Sequence, residues 1–477
     1  MDTARSELKS VHFVGIKGVA MTSLAIYCKE KGMRVTGSDL EEDFPTKEPL
    51  EAADIHPQVG FTKDHILASN RPDLVVYTGA HGGKDNVEVV TAEGLGIETM
   101  PHGRALGYFM RGSLQISVAG SHGKTTTTAM IATIVSDAGH DPSYAVGCGM
   151  IGGLGNPGHS GKGPEFIVEA DEYMTDPTHD KTPRFLWQNP DICVVTNIDY
   201  DHPDAYASLS EVEDAFVKFV GQQKGLNTLI INADDPKSSI LAGKVGGKIL
   251  SYGFSHDADV EARNVRFEEE KTLFDVFFQK TYVGTFSLSV PGMHNILNAC
   301  GALAACYCLD ISWEHIAKGL ARFRGTKRRF EFVGSIGTIK VFDDYAHHPH
   351  EIEATLSGAR DWYPKKRIIT LFQPHTYSRT KALIHEFSTC FEKSDIVLIP
   401  DIYASARETE NLGMHASRLV EEIAKNNKQC FYIKNFDGAI AFLKTHIQQG
   451  DILLCMGAGD VYGWGERIIQ ECSEKNS

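Results

Sequence analysis

Apolar and polar positions along this chain fall into short hydrophobic runs separated by stretches of helical spacing. Val11 to Gly15 is an apolar run ending in glycine. A helix-like stretch from Met21 to Lys31 follows it, and a second run from Arg34 to Gly37 ends at Ser38 and Asp39. Strand, helix and strand in that order predict a βαβ unit. Leu74 to Tyr77 predicts a further buried strand ending at Thr78 and Gly79, and Gln115 to Ala119 a strand that runs straight into a glycine-rich turn. A first domain boundary falls near Arg111 to Ser113.

Beyond it the alternation continues. A helix is predicted from Lys124 to Ala138, strands at Phe166 to Glu169 and Ile192 to Thr196, a helix from Glu211 to Val220, and a strand from Thr228 to Asn232. This order predicts a mostly parallel, doubly wound sheet. Leu273 to Phe278 and Thr285 to Val290 alternate in shorter segments and predict hairpin strands beside the main sheet, before Pro291 and Gly292 open a helix near Asn295. The basic cluster Arg322 to Arg329 marks a second boundary. Strands then recur at Thr338 to Phe342, Arg367 to Phe372, Ile396 to Ile399 and Ile452 to Met456. The fold class is therefore α/β, in three domains taken as residues 1–112, 113–323 and 324–477.

Composition narrows the function. A chain of 477 residues exceeds what one ordinary core serves, since single cores stop growing at roughly 250 to 300 residues. With 42% hydrophobic and 23% charged residues it has the make-up of a globular enzyme. A formal net charge of −15 and a pI of about 5.7 exclude a long-range field that gathers nucleic acid. Met1 to Ser10 is polar and lacks the apolar core of a signal peptide, and no run reaches the 18 or so apolar residues of a membrane span. A cytoplasmic location is expected. The ten cysteines are scattered with no C-x-x-C pair, which indicates small buried apolar residues rather than zinc ligands or a disulfide framework.

The chemistry concentrates at Val118-Ala119-Gly120-Ser121-His122-Gly123-Lys124-Thr125-Thr126. A strand leading into a helix through such a turn gathers backbone N–H groups, a helix N-terminus and one lysine around a single point, which suits phosphate. Lys124 would neutralise the β- and γ-phosphates, and the hydroxyl of Thr125 or Thr126 would ligate magnesium. Valine stands at position 118 where the generic motif has glycine, so the loop is a shortened variant; a structural turn without a ligand is the bland alternative. Glu169-Ala170-Asp171-Glu172 and Asp199-Tyr200-Asp201-His202 each follow an apolar run. Their acids thus fall at strand carboxyl ends, where open α/β sheets place ligands. Each is a candidate metal site, the alternative for His202 being an ordinary hydrogen-bonding histidine.

Read together, these motifs resemble the Mur ligases. The resemblance runs in the family's order through Gly120 to Thr127, Glu169 to Glu172, Asn197 with Asp201-His202, His294-Asn295 with Asn298, and Arg328-Arg329-Phe330. It continues through Asp343-Asp344-Tyr345-Ala346-His347-His348-Pro349 and Phe372-Gln373-Pro374-His375 with Tyr377 and Arg379. It implies a Rossmann-like UDP-binding domain, a central P-loop-type ATPase domain, and a C-terminal Rossmann-like α/β domain that closes over the site.

The resemblance further implies an ATP- and Mg2+-dependent ligase that adds L-alanine to UDP-N-acetylmuramate through an acyl phosphate, in peptidoglycan precursor synthesis, as a monomer or weak homodimer. By similarity Gly120, Gly123, Lys124, Thr125 and Thr126 hold ATP, Thr125 and Glu169 a first metal, and His202 a second. Asn295, Asn298 and Arg329 contact the nucleotide; Asp344 steadies it; His348 and Arg379 stand near the incoming amino acid. A guanidinium can grip a carboxylate through two parallel hydrogen bonds, which suits Arg379 independently. Gly15, Gly18, Ser38 and Asp39 are the implied UDP-sugar residues.

Two departures raise questions. Lys17 and Ala20 replace glycines of the family's first turn, and Lys17 either meets the UDP pyrophosphate or is a solvated lysine. Tyr173 and the longer segment through Met174-Thr175-Asp176 to Phe185 resemble members that attach a ready-made tripeptide in murein recycling, whereas Asp401 to Glu408 points to alanine addition. A third alternative is a nucleotide-binding protein without turnover. Some members carry a carbamylated lysine, for which Lys218 is the candidate here.

Overall fold

Near-continuous apolar runs become strands buried on both faces. In β4 (Leu74–Tyr77), Leu74 and Val76 join one core cluster with Phe13, Leu24 and Ile26, while Val75 and Tyr77 join another with Val14, Ile66 and Val89. That split is the period of two working on a strand with helices on either side. The computed structural model describes residues 8–473 apart from 43, 69, 201–204, 222–226, 405–407 and 409. By its contacts the chain forms two units: residues 1–265, 273–288 and 295–326 make the first, and 266–272, 289–294 and 327–477 the second.

The first unit opens with a parallel five-stranded sheet. Its strands are β1 (Ser10–Val14), β2 (Arg34–Asp39), β3 (Gln58–Val59), β4 and β5 (Glu98–Pro101), in the order β3-β2-β1-β4-β5. The order reverses between β1 and β4, and it is at such a reversal, beyond the strands' carboxyl ends, that open sheets bind ligands.

A ten-stranded sheet follows. It is built from β6 (Leu114–Ala119), β7 (Ser143–Ala145), β8 (Gly158–His159), β9 (Glu165–Ala170), β12 (Ile192–Val195), β13 (Thr228–Asn232), β14 (Lys248–Gly253), β15 (Val260–Glu268), β16 (Lys271–Phe278) and β17 (Thr281–Leu288). The short β10 (Met174–Asp176) and β11 (Asp180–Pro183) pair apart from it as an antiparallel hairpin. The order is β17-β16-β15-β14-β13-β12-β6-β9-β7-β8, with β6 joined in parallel to β12 on one side and β9 on the other. The expectation of hairpin strands lying beside this sheet is corrected. β16 and β17 continue it, linked by Gln279 and Lys280, whose φ values of 46° and 69° make the tight turn that matches strand twist.

In the second unit β18 (Glu331–Ile336), β19 (Ile339–Asp344), β20 (Ile368–Phe372), β21 (Ile396–Pro400), β22 (Cys430–Lys434) and β23 (Ile452–Met456) form one sheet ordered β18-β19-β23-β20-β21-β22. Only β18 runs antiparallel among these pairings. Ile369, Leu371, Leu453 and Cys455 face one core, and Ile368, Phe372, Leu454 and Met456 the other. Each such buried side chain contributes roughly 1.5 to 3 kcal/mol relative to exposure. Among the described residues no helix is long and apolar enough to cross a membrane.

Candidate active site

The turn after β6 is held open by its neighbours. Gly120 has φ 135° and Gly123 φ 85°, both in the range favouring glycine. A Cβ on Gly123 would collide with the amide oxygen of Asn298. Thr196 Oγ1 and Asn197 Nδ2 donate to the His122 carbonyl at 2.5 and 3.0 Å, and Asn197 Oδ1 accepts the His122 N–H at 2.9 Å. The end of β12 thus clamps the middle of the loop, and the helix Lys124–Asp137 starts from it with its N-terminal N–H groups directed at the turn.

Lys124 sits inside this turn. Its Nζ donates to the Gly120 carbonyl at 2.5 Å, the Ser121 carbonyl at 3.3 Å and Glu172 Oε2 at 2.8 Å. Burial works against the ammonium, but Glu172, Asp171 and Glu169 outweigh it and hold its pKa above the usual lysine value. Thr125 Oγ1 donates to Glu169 Oε2 at 2.9 Å, and Glu169 Oε1 accepts the Gly147 N–H at 2.5 Å. Burial pushes the carboxyls of Glu169 and Glu172 upward despite these donors.

The three acids that looked equivalent in the sequence are thereby sorted. Glu172 pairs with Lys124 and Asp171 with Arg184 at 2.8 Å, and Glu169 meets the hydroxyl of Thr125. Thr126 follows, half-buried, on the same helix. Asn295 and Asn298 lie one turn apart and share a hydrogen bond of 3.2 Å, with Asn298 against Gly123. Asp201 and His202 lie outside the described residues, as do Ser405, Ala406 and Arg407. Lys218 is exposed on its helix. Gly147, Thr196 and Arg184 were missed from the sequence, because none belongs to the local run whose atoms it holds.

Gly15 and Gly18 make the turn after β1, where a Cβ on Gly15 would lie 2.5 Å from Thr78 Cγ2. Ser38 and Asp39 end β2 with their side chains buried. Ser38 donates to Glu88 at 2.5 Å, while the two oxygens of Asp39 accept the N–H groups of Lys17 and Leu40 at 2.7 and 2.8 Å. Lys17 lies half-buried beside this turn. Its ammonium donates to the carbonyls of Leu40 and Glu42 at 2.5 and 2.7 Å, tying the β1 turn to the chain after β2.

In the second unit Asp344 ends β19, almost fully buried, and accepts the Phe330 and Ala346 N–H groups at 2.8 and 2.7 Å. Burial pushes its carboxyl up, against Arg329. Arg329 is 40% exposed and 3.9 Å from Glu351. His348 caps the helix Pro349–Trp362, its ring accepting the His350 N–H at 3.4 Å while Glu351 accepts the N–H groups of His347 and His348. Tyr345, His347, His375 and Tyr403 make a row of ring contacts at the carboxyl edge of the sheet. Arg379 joins the row at the His375 carbonyl, 3.3 Å away.

Comparison with known proteins matches the chain in three successive segments. Residues 10–113 match the Mur ligase family, catalytic domain; 118–306 the Mur ligase middle domain; and 328–459 the Mur ligase, glutamate ligase domain. The chain is 38% identical over 473 residues to the UDP-N-acetylmuramate--L-alanine ligase of Caldanaerobacter subterraneus subsp. tengcongensis, covering 99% of each. The crystal structure of the UDP-N-acetylmuramate-alanine ligase of Thermotoga maritima superposes with a TM-score of 0.79 at 25% identity, covering 98% of this chain and 100% of that one. A murein peptide ligase from Psychrobacter arcticus gives 0.70 at 25% identity, covering 98% and 99%. With its glycine-bearing strand–helix turn, its acid-tipped strands and a relative of this identity over the whole length, the chain belongs to the Mur ligase family.

Proposed function

We propose that this chain is an ATP-dependent ligase that joins L-alanine to UDP-N-acetylmuramate through an acyl phosphate, supplying a peptidoglycan precursor. One observation carries the chemistry. A single strand–helix turn sets Lys124 against Glu172 and Thr125 against Glu169, in the chain whose full-length relative is named for this reaction.

A carboxylate resists attack by an amine because it is negatively charged and offers no good leaving group. Transfer of the γ-phosphoryl group from ATP to the muramoyl carboxylate forms a mixed anhydride and releases ADP. The amine then attacks the acyl carbon, the bond to phosphate breaks, and the amine proton is lost as the amide forms. Lys124, held in the turn by three oxygens, offsets charge on the transferring group, turning its longest N–H, now on the Ser121 carbonyl, toward it. Gly120, Gly123 and Thr126 line the cradle, and Asn295 and Asn298 back it.

Thr125 Oγ1 and Glu169 are hard oxygen donors, as magnesium requires, and magnesium takes few protein ligands while keeping water and phosphate oxygens. When bound there it would neutralise phosphate charge. His202 is assigned to a second metal on sequence alone. Arg329 and Asp344 are assigned to the nucleotide, Arg379 to the amino-acid carboxylate with His348 nearby, and Gly15, Gly18, Ser38 and Asp39 to the UDP-sugar. The division 1–112, 113–323 and 324–477 is retained as the modular reading, acting in the cytoplasm as a monomer or weak homodimer.

A second reading, tripeptide attachment, draws on the segment Tyr173 to Phe185 and the fold shared with the murein peptide ligase. Phosphate release measured with ATP, magnesium and UDP-N-acetylmuramate, offering each amine in turn, separates the two. Release with L-alanine is expected; release with tripeptide and none with L-alanine overturns the proposal.

A further inference from the structure

The segment Tyr173 to Phe185 has no task in the reaction assigned above, yet it is firmly placed. It forms the hairpin β10–β11 and leads into the single helical turn Arg184–Trp187. Asp176, 0% exposed, ends β10. Its Oδ1 accepts the N–H groups of Thr178 and His179 at 2.9 and 3.2 Å, closing the hairpin turn, and its Oδ2 accepts the Lys84 N–H at 2.9 Å.

Lys84 belongs to the loop that follows β4, and the seam between loop and hairpin is tight elsewhere. A Cβ on Gly79 would lie 2.9 Å from Pro177 Cδ and 3.0 Å from the Thr175 carbonyl oxygen. At Gly83, φ 53°, the Asp176 carboxylate occupies the place where a side chain would begin. His179 Nε2 and Asp85 Oδ2 are 2.8 Å apart.

This loop, residues 78–86, emerges where the first sheet reverses its strand order, between β1 and β4. Its His81 ring packs on Phe61 and stands 3.6 Å from Asp39 Oδ1, and its Thr78 methyl abuts Gly15. The loop therefore walls the same carboxyl-end crevice that Gly15 and Asp39 border, while the hairpin begins two residues after Glu172, the partner of Lys124.

We propose that the hairpin Met174–Pro183 is a buttress for the sugar-nucleotide site, with Asp176 the positioning residue that fixes the 78–86 loop through the Lys84 N–H. This rests on assigning the first sheet to the UDP-sugar. Asp176 acts on the loop backbone and not on the reacting atoms, so it governs how well the sugar nucleotide is held and leaves the phosphoryl-transfer step alone. Asp176→Asn is the sharp variant. The amide oxygen still serves Thr178 and His179, but its NH2 group faces the Lys84 N–H, donor against donor.

Steady-state phosphate release is measured on the full-length chain for Asp176→Asn, Gly83→Ala and His179→Ala, with melting temperatures alongside. The KM for UDP-N-acetylmuramate is expected to rise about tenfold or more in the first two, and roughly two- to fivefold in His179→Ala, which loses an exposed pair. KM for ATP and kcat at saturation stay within about twofold, the pattern of lost uniform binding. Should both inner variants fail to fold, His179→Ala, whose ring is surface-exposed, decides alone. An unchanged sugar-nucleotide KM in the folded variants, or an equal rise in both KM values, overturns the buttress. A wild-type chain that releases no phosphate with UDP-N-acetylmuramate sinks the functional assignment and the buttress with it.

Discussion

Lys124 is surrounded by oxygen: two carbonyls of its own loop and a carboxylate 48 residues along the chain. Its removal has two separable effects. Lys124→Ala should lower kcat by about 100-fold or more, the scale for losing one preorganised charge stabiliser. It should also destabilise the fold by about 3 kcal/mol, because Glu172, 2% exposed, loses its ammonium and must either hold a buried charge alone or take up a proton. Adding Glu172→Gln should restore the melting temperature and leave turnover lost. Recovery of both, or of neither, in the double variant would show that the pair is not what holds this corner. Lys17 is the contrasting residue. In sequence it stands beside a turn suited to pyrophosphate, and in the fold its ammonium lies on two carbonyls after β2, a placement that sequence spacing does not encode.

At the scale of elements, the strand–turn–helix of β6 and Lys124–Asp137 depends on two positive-φ glycines, Gly120 and Gly123, the second at the helix start. Gly123→Ala should cost about 1 kcal/mol in backbone conformation alone, and the added methyl presses on Asn298. A raised KM for ATP in steady-state assays, with a lowered melting temperature, is expected; kinetics like wild type would refute this dependence. A second joint binds the helix Val19–Glu30 to the central sheet. His159 on β8 lies between Glu30 Oε2 at 2.6 Å and Asp141 Oδ1 at 3.0 Å. The hydrogen bond to Glu30, with help from Asp141, raises its pKa to about 9. Because the folded value exceeds the unfolded one near 6.5, the stabilisation is complete below about pH 6.5 and is lost as pH rises toward 9. The ring is 35% exposed, so the effect is modest. Melting temperature should fall over that window, and His159→Gln should flatten the slope; parallel curves for the two proteins would dismiss the joint.

At the scale of the whole molecule, eight of the ten cysteines are buried. Burial lifts thiols such as Cys28 and Cys455 well above their ordinary pKa, which leaves them as inert packing residues. Reducing agent should therefore shift the melting temperature by less than about 1 °C, whereas losing a real disulfide removes roughly 2 to 5 kcal/mol. A clear drop on reduction would contradict this.

The alternating strands and helices and the glycine-rich turn after β6 could be read from the residues alone. β13 and β23 have the limits their apolar runs suggested, and the turn from Gly120 to Thr126 is a contiguous stretch whose geometry follows from nearby backbone conformation. Such features are local: a period of two or 3.6 and a glycine at a bend act within a few residues. Pairings are not local. Which acid meets Lys124 and which meets Thr125, the Gly147 N–H on Glu169 and the Lys84 N–H on Asp176 span 22 to 92 positions. The placement of β16 and β17 within the main sheet is of the same kind, since an alternating strand fits either edge equally until its neighbours exist. Packing selects among partners that look alike in one dimension, because a buried polar group accepts only the donor that the folded chain brings within about 3 Å.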